Sequence, residues 1–265
     1  TLLAAGADPA AKDRQGNSVL KTAENSRSAR AIDLLRDAKK VNVAPVAPRA
    51  AASGSAGASA SSGDPKKELD RLGFKFDSKT FFNRVEAGDV RAIELFLKAG
   101  FDSKTREQGR PALYVAVDGG HAESVKALIA GGADVNDAGA ATDKRFESGE
   151  TLVMKAVDGA NADIVRALVE AGSNVNRGNM YKVNPLMSAA RQGHADIVEI
   201  LLSGKADVNT VDQGGSPALL GPVQESHADI VRMLLKAGAK VGKHRKLLLD
   251  YAKDPAIKKM IKEAA

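Results

Sequence analysis

The amino-acid sequence predicts an all-α protein built as a stack of repeated helix pairs. Three registers along the chain agree on this. The valines of a recurring word, HADIV with its variants HAESV and NADIV, stand at Val125, Val165, Val198 and Val231, at intervals of 40, 33 and 33. An apolar anchor upstream of each word stands at Leu113, Val153, Leu186 and Leu219, with the same intervals. A small residue downstream stands at Ala133, Ser173, Ala206 and Ala239, again in step. Self-similarity at one fixed period is the signature of a repeat architecture. The single long interval places a seven-residue insertion between Asn136 and Thr151.

Each unit reads as two short helices and a loop. In one unit Leu186, Ala189 and Ala190 fall on one face of a first helix at helical spacing. A turn follows at Gly193. Ile197, Val198, Leu201 and Leu202 then form the apolar stripe of a second helix. Asp196 and Glu199 lie near its start, where a carboxylate favours the partial positive charge of a helix N-terminus. The second helix stops at a glycine, because the residue that ends a helix commonly takes positive φ and glycine does so without a Cβ clash. The glycines read as stops are Gly6, Gly100, Gly132, Gly172, Gly204 and Gly238. A pair of helices this short has too little interior to fold alone, so its stripes are covered only when neighbours stack on it.

Residues 1–12 read as the end of one repeat and residues 13–40 as another, with Gly16, Leu20, Ala23, Ile32 and Leu35 in register. That unit ends in RDAKK, without a glycine stop, as a polar terminal cap would. From Ala44 to Pro65, 19 of 22 residues are Ala, Gly, Ser or Pro, the composition of a flexible linker. The organisation expected is thus an upstream array over 1–40, a linker over 41–66 and a second array over 67–265. In the second array a shorter opening unit near 68–104 carries Phe81, Phe82, Ile93, Phe96 and Leu97. Full units follow at about 105–137, 145–177, 178–210 and 211–242. The tail reads as a closing helix or helix pair in which Leu248, Tyr251, Ile257 and Ile261 cover the last repeat. The chain opens on Thr1 in what reads as the tail of a repeat, so a fragment or an excised region is expected.

The period, Pro185–Leu186 with Ala189, Gly193–His194, Ala206–Asp207–Val208–Asn209, Pro217 with Leu219, and Thr151 before Val153 together resemble the ankyrin repeat. The opening unit resembles that of bacterial ankyrin arrays. The resemblance covers nearly everything outside about 41–66. It implies a curved solenoid of antiparallel helix pairs with β-turn fingers projecting sideways, and a protein partner held on the concave face of fingers and first helices. Transferred position by position, the partner-binding residues on the fingers are Glu107, Gln108, Arg110, Phe146, Glu147, Glu150, Met180, Tyr181, Val183 and Gln213. Those on the first helices are Asp118, Asp158 and Arg191. Tyr114, Met154, Met187 and Leu220 replace the histidine of the family motif, so its inter-repeat hydrogen bonds are expected to be missing. The opening aspartate of the repeat survives only as Asp212; Arg106, Phe146 and Asn179 replace it, which predicts less regular fingers there.

Composition removes several function classes. There is no cysteine, so neither disulfides nor thiolate metal sites arise, although this leaves the compartment open. No apolar run approaches the ~20 residues that span a bilayer. A soluble protein is expected, cytoplasmic rather than periplasmic or secreted. Net charge is +6, with +4 in residues 1–50 and +5 in residues 240–265, which leaves −3 for the middle. That distribution, with 4% aromatic residues, does not suit a nucleic-acid binder.

No catalytic set, cofactor site or metal site is legible. His121, His194 and His227 share one slot, with Asn161 in the fourth, as hydrogen-bonders at a helix entry would; His244 reads as solvated. Met180 and Tyr181, apolar and aromatic at a projecting turn, are the strongest interface anchors. The alternative for Tyr181 is packing on the neighbouring finger. The insertion carries Lys144, Arg145 and Phe146, as a contact element would. The expected function is a non-enzymatic, monomeric protein-binding scaffold. Two alternatives remain: the targeting or regulatory arm of a larger effector enzyme, and an enzyme inhibitor or immunity protein.

Overall fold

A computed structural model of the chain describes residues 64–137 and 149–264, all within one compact unit. The expected upstream array, all but the end of the linker, and residues 138–148 of the insertion lie outside the described residues. The regular structure described is helical apart from one short hairpin and one isolated bridge, and the helices lie in two rows.

A single helix, α1 (Pro65–Arg71), opens the unit. It starts inside the stretch assigned to the linker, because Asp64 accepts the Lys66 N–H and Pro65 occupies a first-turn position where its missing N–H costs nothing. Helix pairs follow: α2 (Ser78–Glu86) with α3 (Val90–Lys98), α4 (Ala112–Asp118) with α5 (Ala122–Ala130), and α6 (Leu152–Asp158) with α7 (Ala162–Glu170). Next come α8 (Pro185–Gln192) with α9 (Ala195–Ser203), and α10 (Leu220–Gln224) with α11 (Ala228–Lys236). The tail is a helix pair, α12 (Arg245–Tyr251) and α13 (Pro255–Glu263). Each first helix packs on the next first helix, and each second helix on the next second helix. α1 precedes α3 in the second row, and the closing pair continues both rows.

The stripes read from the sequence are the core. Leu113, Val153, Leu186 and Leu219 are buried, as are Val125, Val165, Val198 and Val231. In the second-helix row the seam is closed by a small residue at the end of each helix. A Cβ at Gly131 would lie 2.7 Å from the Leu97 side chain of the preceding unit, and a Cβ at Gly204 would lie 2.6 Å from Val169. Five phenylalanines pack the opening unit, with Phe81 and Phe101 at 4.4 Å between ring centroids. Tyr251 departs from expectation: it is 48% exposed, and the last repeat is covered by Leu248, Ala252, Ile257 and Ile261 instead.

Polar rungs join the units as well. Asn136, Asn176 and Asn209 each accept, through Oδ1, a backbone N–H of the following unit, from Asn174, Asp207 and Lys240 at 2.8 to 2.9 Å. Asn176 and Asn209 also donate through Nδ2 to the carbonyls of Lys205 and Gly238. Each asparagine is presented by a small turn, in which Asp134, Asn174 or Asp207 accepts its backbone N–H.

Two helix ends differ from the sequence reading. Gly100, Gly132, Gly172 and Gly238 have positive φ, but Gly204 does not; in its unit Lys205 takes that conformation, at φ 64°. Gly204 is required by Val169, not by its backbone. Helix α10 starts two residues later than its counterparts. Pro222 stands where Ala189 stands in the unit before, and its missing N–H and its ring would break a helix that began at Ala218.

Two stability changes follow. Leu201, fully buried in the α9 stripe, should cost about 2–5 kcal/mol on change to Ala, read as a lowered denaturant midpoint. Lys205→Gly should raise stability by about 0.5–1 kcal/mol, since it relieves a left-handed lysine; an unchanged midpoint would place the strain elsewhere.

Candidate binding face

Among the described residues, the candidates lie on the fingers and the first helices. The first finger is a hairpin, β1 (Arg106–Glu107) and β2 (Arg110–Pro111), with Glu107 paired to Arg110. Its two turn residues, Gln108 and Gly109, both have positive φ, the geometry of a tight two-residue hairpin. Arg106, in the aspartate slot, closes the finger from outside: it donates to the Gly109 carbonyl and to both Asp137 oxygens, at 2.6 and 2.7 Å.

The expectation of irregular fingers fails at Asn179. Its side-chain oxygen accepts from Tyr181 and Val183 N–H groups, and its own N–H donates to the Val183 carbonyl. Asp212 does the same work in the next finger, accepting from Ser216 N–H while its own N–H donates to the Ser216 carbonyl. An amide oxygen accepts as a carboxylate oxygen does, so the turn survives the exchange. Neighbouring fingers are tied by Gln213 N–H, which donates to the Tyr181 carbonyl at 2.8 Å.

Met180 is 59% exposed and Tyr181 56%. Tyr181 meets its neighbouring finger through its backbone carbonyl and remains more than half exposed. Gln108 and Gln213 are exposed too, and Val183 is half-buried at the finger base. Phe146 and Glu147 lie outside the described residues.

The charged candidates are differently placed. Arg110 is no open finger tip: its side chain is 17% exposed and lies 3.9 Å from Glu86 of the preceding unit. Asp118 receives Lys155 Nζ at 2.8 Å, across from α6 to α4. Asp158 accepts from Gln192 Nε2 at 2.7 Å, across from α8 to α6. Arg191 is exposed, but its stem fills the space beside Gly221, where a Cβ would lie 2.7 Å from Arg191 Cβ. These groups stitch successive first helices together as well as line the face.

Glu150 stands out chemically. Half-buried at the finger base, it is pushed up to about 7, first by burial and then by a hydrogen bond with Asp158 and the charge on it; Lys155 pulls the other way. The bond to Asp118 in turn raises Lys155. Glu150 reads as a finger position in the sequence, with no sign of this pairing, since Asp158 stands at the far end of the following helix.

The histidines are strung out one per unit. His121 Nε2–H donates to the Glu86 carbonyl at 2.9 Å, and its ring fits between Gly88 and Gly119, where Cβ atoms would lie 2.7 and 2.6 Å away. His194 Nε2–H donates to Gln192 Oε1 at 3.1 Å. The His227 ring lies over Gly193 of the unit before. Asn161 donates to the Gly120 carbonyl at 3.4 Å and also caps α7. Each begins a second helix; His121, Asn161 and His227 lean on the turn of the unit before, whereas His194 bonds within its own turn. His244 is half-buried at a 3₁₀ turn, Gly242–His244, instead of fully solvated. Among the described residues no three His, Asp or Glu side chains are placed to hold a metal ion, and no helix is long and apolar enough to cross a membrane.

The family model described as ankyrin repeats (3 copies) matches residues 153–245, and the model described as ankyrin repeat matches residues 108–140. No curated protein matches the chain.

The raised Glu150 fixes the sign of one pH effect. Unfolded, the carboxyl titrates near its ordinary value of 4.5; folded, it is pushed up to about 7. The protonated form is therefore favoured by folding, and that contribution is complete below 4.5 and lost as pH rises through 7. Glu150→Gln should raise the melting temperature relative to the parent at pH 8 and leave little difference at pH 4.5. An equal shift at both pH values would mean that the carboxyl does not titrate with folding.

Proposed function

Because this chain is an ankyrin-repeat protein, and such repeats are generally protein–protein interaction modules, we propose that it is a non-enzymatic scaffold that docks a protein or peptide on its fingers and first helices. The observation that carries this reading is the exposure of Met180 and Tyr181 together on one finger. Large apolar side chains held in solvent on a rigid turn are poor for solubility and well suited to an interface centre. The turn is rigid because Asn179 holds it from within and Gln213 ties it to the next finger.

The charges support the same centre. Lys155 with Asp118 and Arg110 with Glu86 are already paired within the protein, so a partner gains little net attraction from them. They set shape and register, while the methionine and tyrosine supply the apolar area. Around that centre the proposed contact residues are Glu107, Gln108, Val183, Gln213, Glu150, Asp158 and Arg191. Phe146 and Glu147 of the insertion are proposed to join them. In the same reading residues 1–40 form an upstream array and residues 67–265 the array that carries the face, and the protein acts as a monomer.

The test is capture from the native host with the full chain as bait. Changing both Met180 and Tyr181 to Ala should weaken binding of the captured protein about 30-fold or more, the effect of removing an interface hot spot of about 2 kcal/mol. The melting temperature should stay unchanged, because neither side chain is buried. Undiminished capture, or a fall in melting temperature, would overturn the assignment.

A further inference from the structure

At the closing end of the array the second-helix row is imperfectly sealed. Between α11 and α13 runs a groove of about 580 Å³, whose floor includes the half-buried Leu235 and Met260. The Leu97 seam carries a groove of about 400 Å³ as well, but its wall is neutralised, because Lys98 lies 3.2 Å from Glu94. The groove at Leu235 differs in its charge. Its walls carry Arg232, Lys236 and Lys240, all exposed and in no ion pair among the described residues. The one acid at the groove, Glu263, already lies 3.9 Å from Lys259.

The repeat provides an internal comparison for these cations. Lys240 occupies the register position of Asp102, Asp134, Asn174 and Asp207, so the charge is reversed only in the last unit. Lys236 occupies that of Lys98, Ala130, Glu170 and Ser203; Lys98 is paired with Glu94, and Arg232 stands where Glu94 does. Part of this has a structural reason. Asp134, Asn174 and Asp207 present an asparagine to the following unit, and with Gly242 in the asparagine position the last unit presents none. That releases the position from carrying an acceptor; it does not call for a lysine, which here adds a third like charge beside two others.

We infer that this groove docks an acidic amphipathic segment of a partner protein, with its apolar side chains over Leu235 and Met260 and its carboxylates against Arg232, Lys236 and Lys240. Charge complementarity selects an anion, and the apolar floor selects among anions. A nucleic-acid backbone would cover Leu235 and Met260 without apolar contact, and no aromatic side chain lines the groove for a base to stack on. A flat anionic membrane would touch the rims and not the floor. This surface lies on the second-helix row, apart from the Met180–Tyr181 finger, so the two docking sites stand or fall separately.

The probe is a short fluorescent helical peptide with glutamates on one face and leucines on the other, titrated into the full chain and followed by anisotropy. Saturable binding that weakens with added salt is expected. Amide-exchange protection should appear at residues 228–240 and 255–263. The triple variant Arg232→Glu, Lys236→Glu, Lys240→Glu should weaken binding about tenfold or more at unchanged melting temperature. Reversing Lys75, Lys79 and Lys104, which changes net charge equally, should leave binding unchanged. Replacing the leucines of the probe with serine should abolish it. The inference is overturned by absence of saturable binding, by equal loss in both triple variants, or by undiminished binding of the serine probe. It is also overturned if an oligothymidylate or phosphatidylserine vesicles bind with the same dependence on the three groove cations.

Discussion

A helix pair of this size leaves one flank of each helix uncovered, and covering that flank with the next pair is the constraint from which the rest of the structure follows. Each fully buried Leu, Ile or Val contributes on the order of 1.5–3 kcal/mol, against roughly 1–2 kcal/mol of backbone entropy for every residue ordered. A pair buried on one side only cannot balance those quantities. The anchors and stripe valines of four successive units are buried together because each unit is the wall of the next. At the ends the same requirement is met by different means. The opening unit is filled by a phenylalanine cluster, and the closing pair extends both helix rows with Leu248, Ile257 and Ile261 facing inward.

Apolar burial fixes the spacing of the units; polar groups fix their register. The asparagine rungs do this at the loop edge, where Asn176 and Asn209 each bond a donor and an acceptor of the following unit. The helix-entry slot does it at the opposite edge, where His121 and Asn161 bond carbonyls of the unit behind. Each rung is exposed and contributes only about 0.5–1.5 kcal/mol, but the rungs repeat, so a unit that slipped by one residue would lose several at once. With the histidine of the family motif replaced by Tyr114, Met154, Met187 and Leu220, one expected set of bonds is missing. Met154, Met187 and Leu220 fill space there instead, and the rungs at the two edges carry the register.

The sequence made the period, the stripes and the helix order legible because they repeat, and repetition averages out local irregularity. What it hid were features decided by a single residue or by a contact between units. A glycine read as a positive-φ stop at 204 is there for Val169, and the strained position belongs to Lys205 one residue on. Pro222 shortens α10 although the apolar pattern around it continues. Asn179 looked like a loss and preserves its turn, since the acceptor matters and the charge does not. Arg110 looked like a finger tip by position and is largely buried beside Glu86. Exposure of Met180 and Tyr181 was legible from their place on a projecting turn. The Glu150–Asp158 pairing was not, because nothing in the linear order brings a finger base to the end of the helix after it.

The distribution of charge completes the picture. Within the stack, charged residues are used up by neighbours: Lys155 by Asp118, Asp158 by Gln192 and Glu150, Arg106 by Asp137. A unit with neighbours on both sides has its polar pattern dictated from both directions. The last unit has only the closing pair beyond it, and there the pattern of the asparagine turn lapses at Lys240 and Gly242. Positions released from the repeat are where a stack of equivalent units can acquire a surface that the others lack. The finger with Met180 and Tyr181 obeys the same logic from the opposite side: its backbone is held by Asn179 from within and by Gln213 of the next finger, and its two large side chains are left exposed.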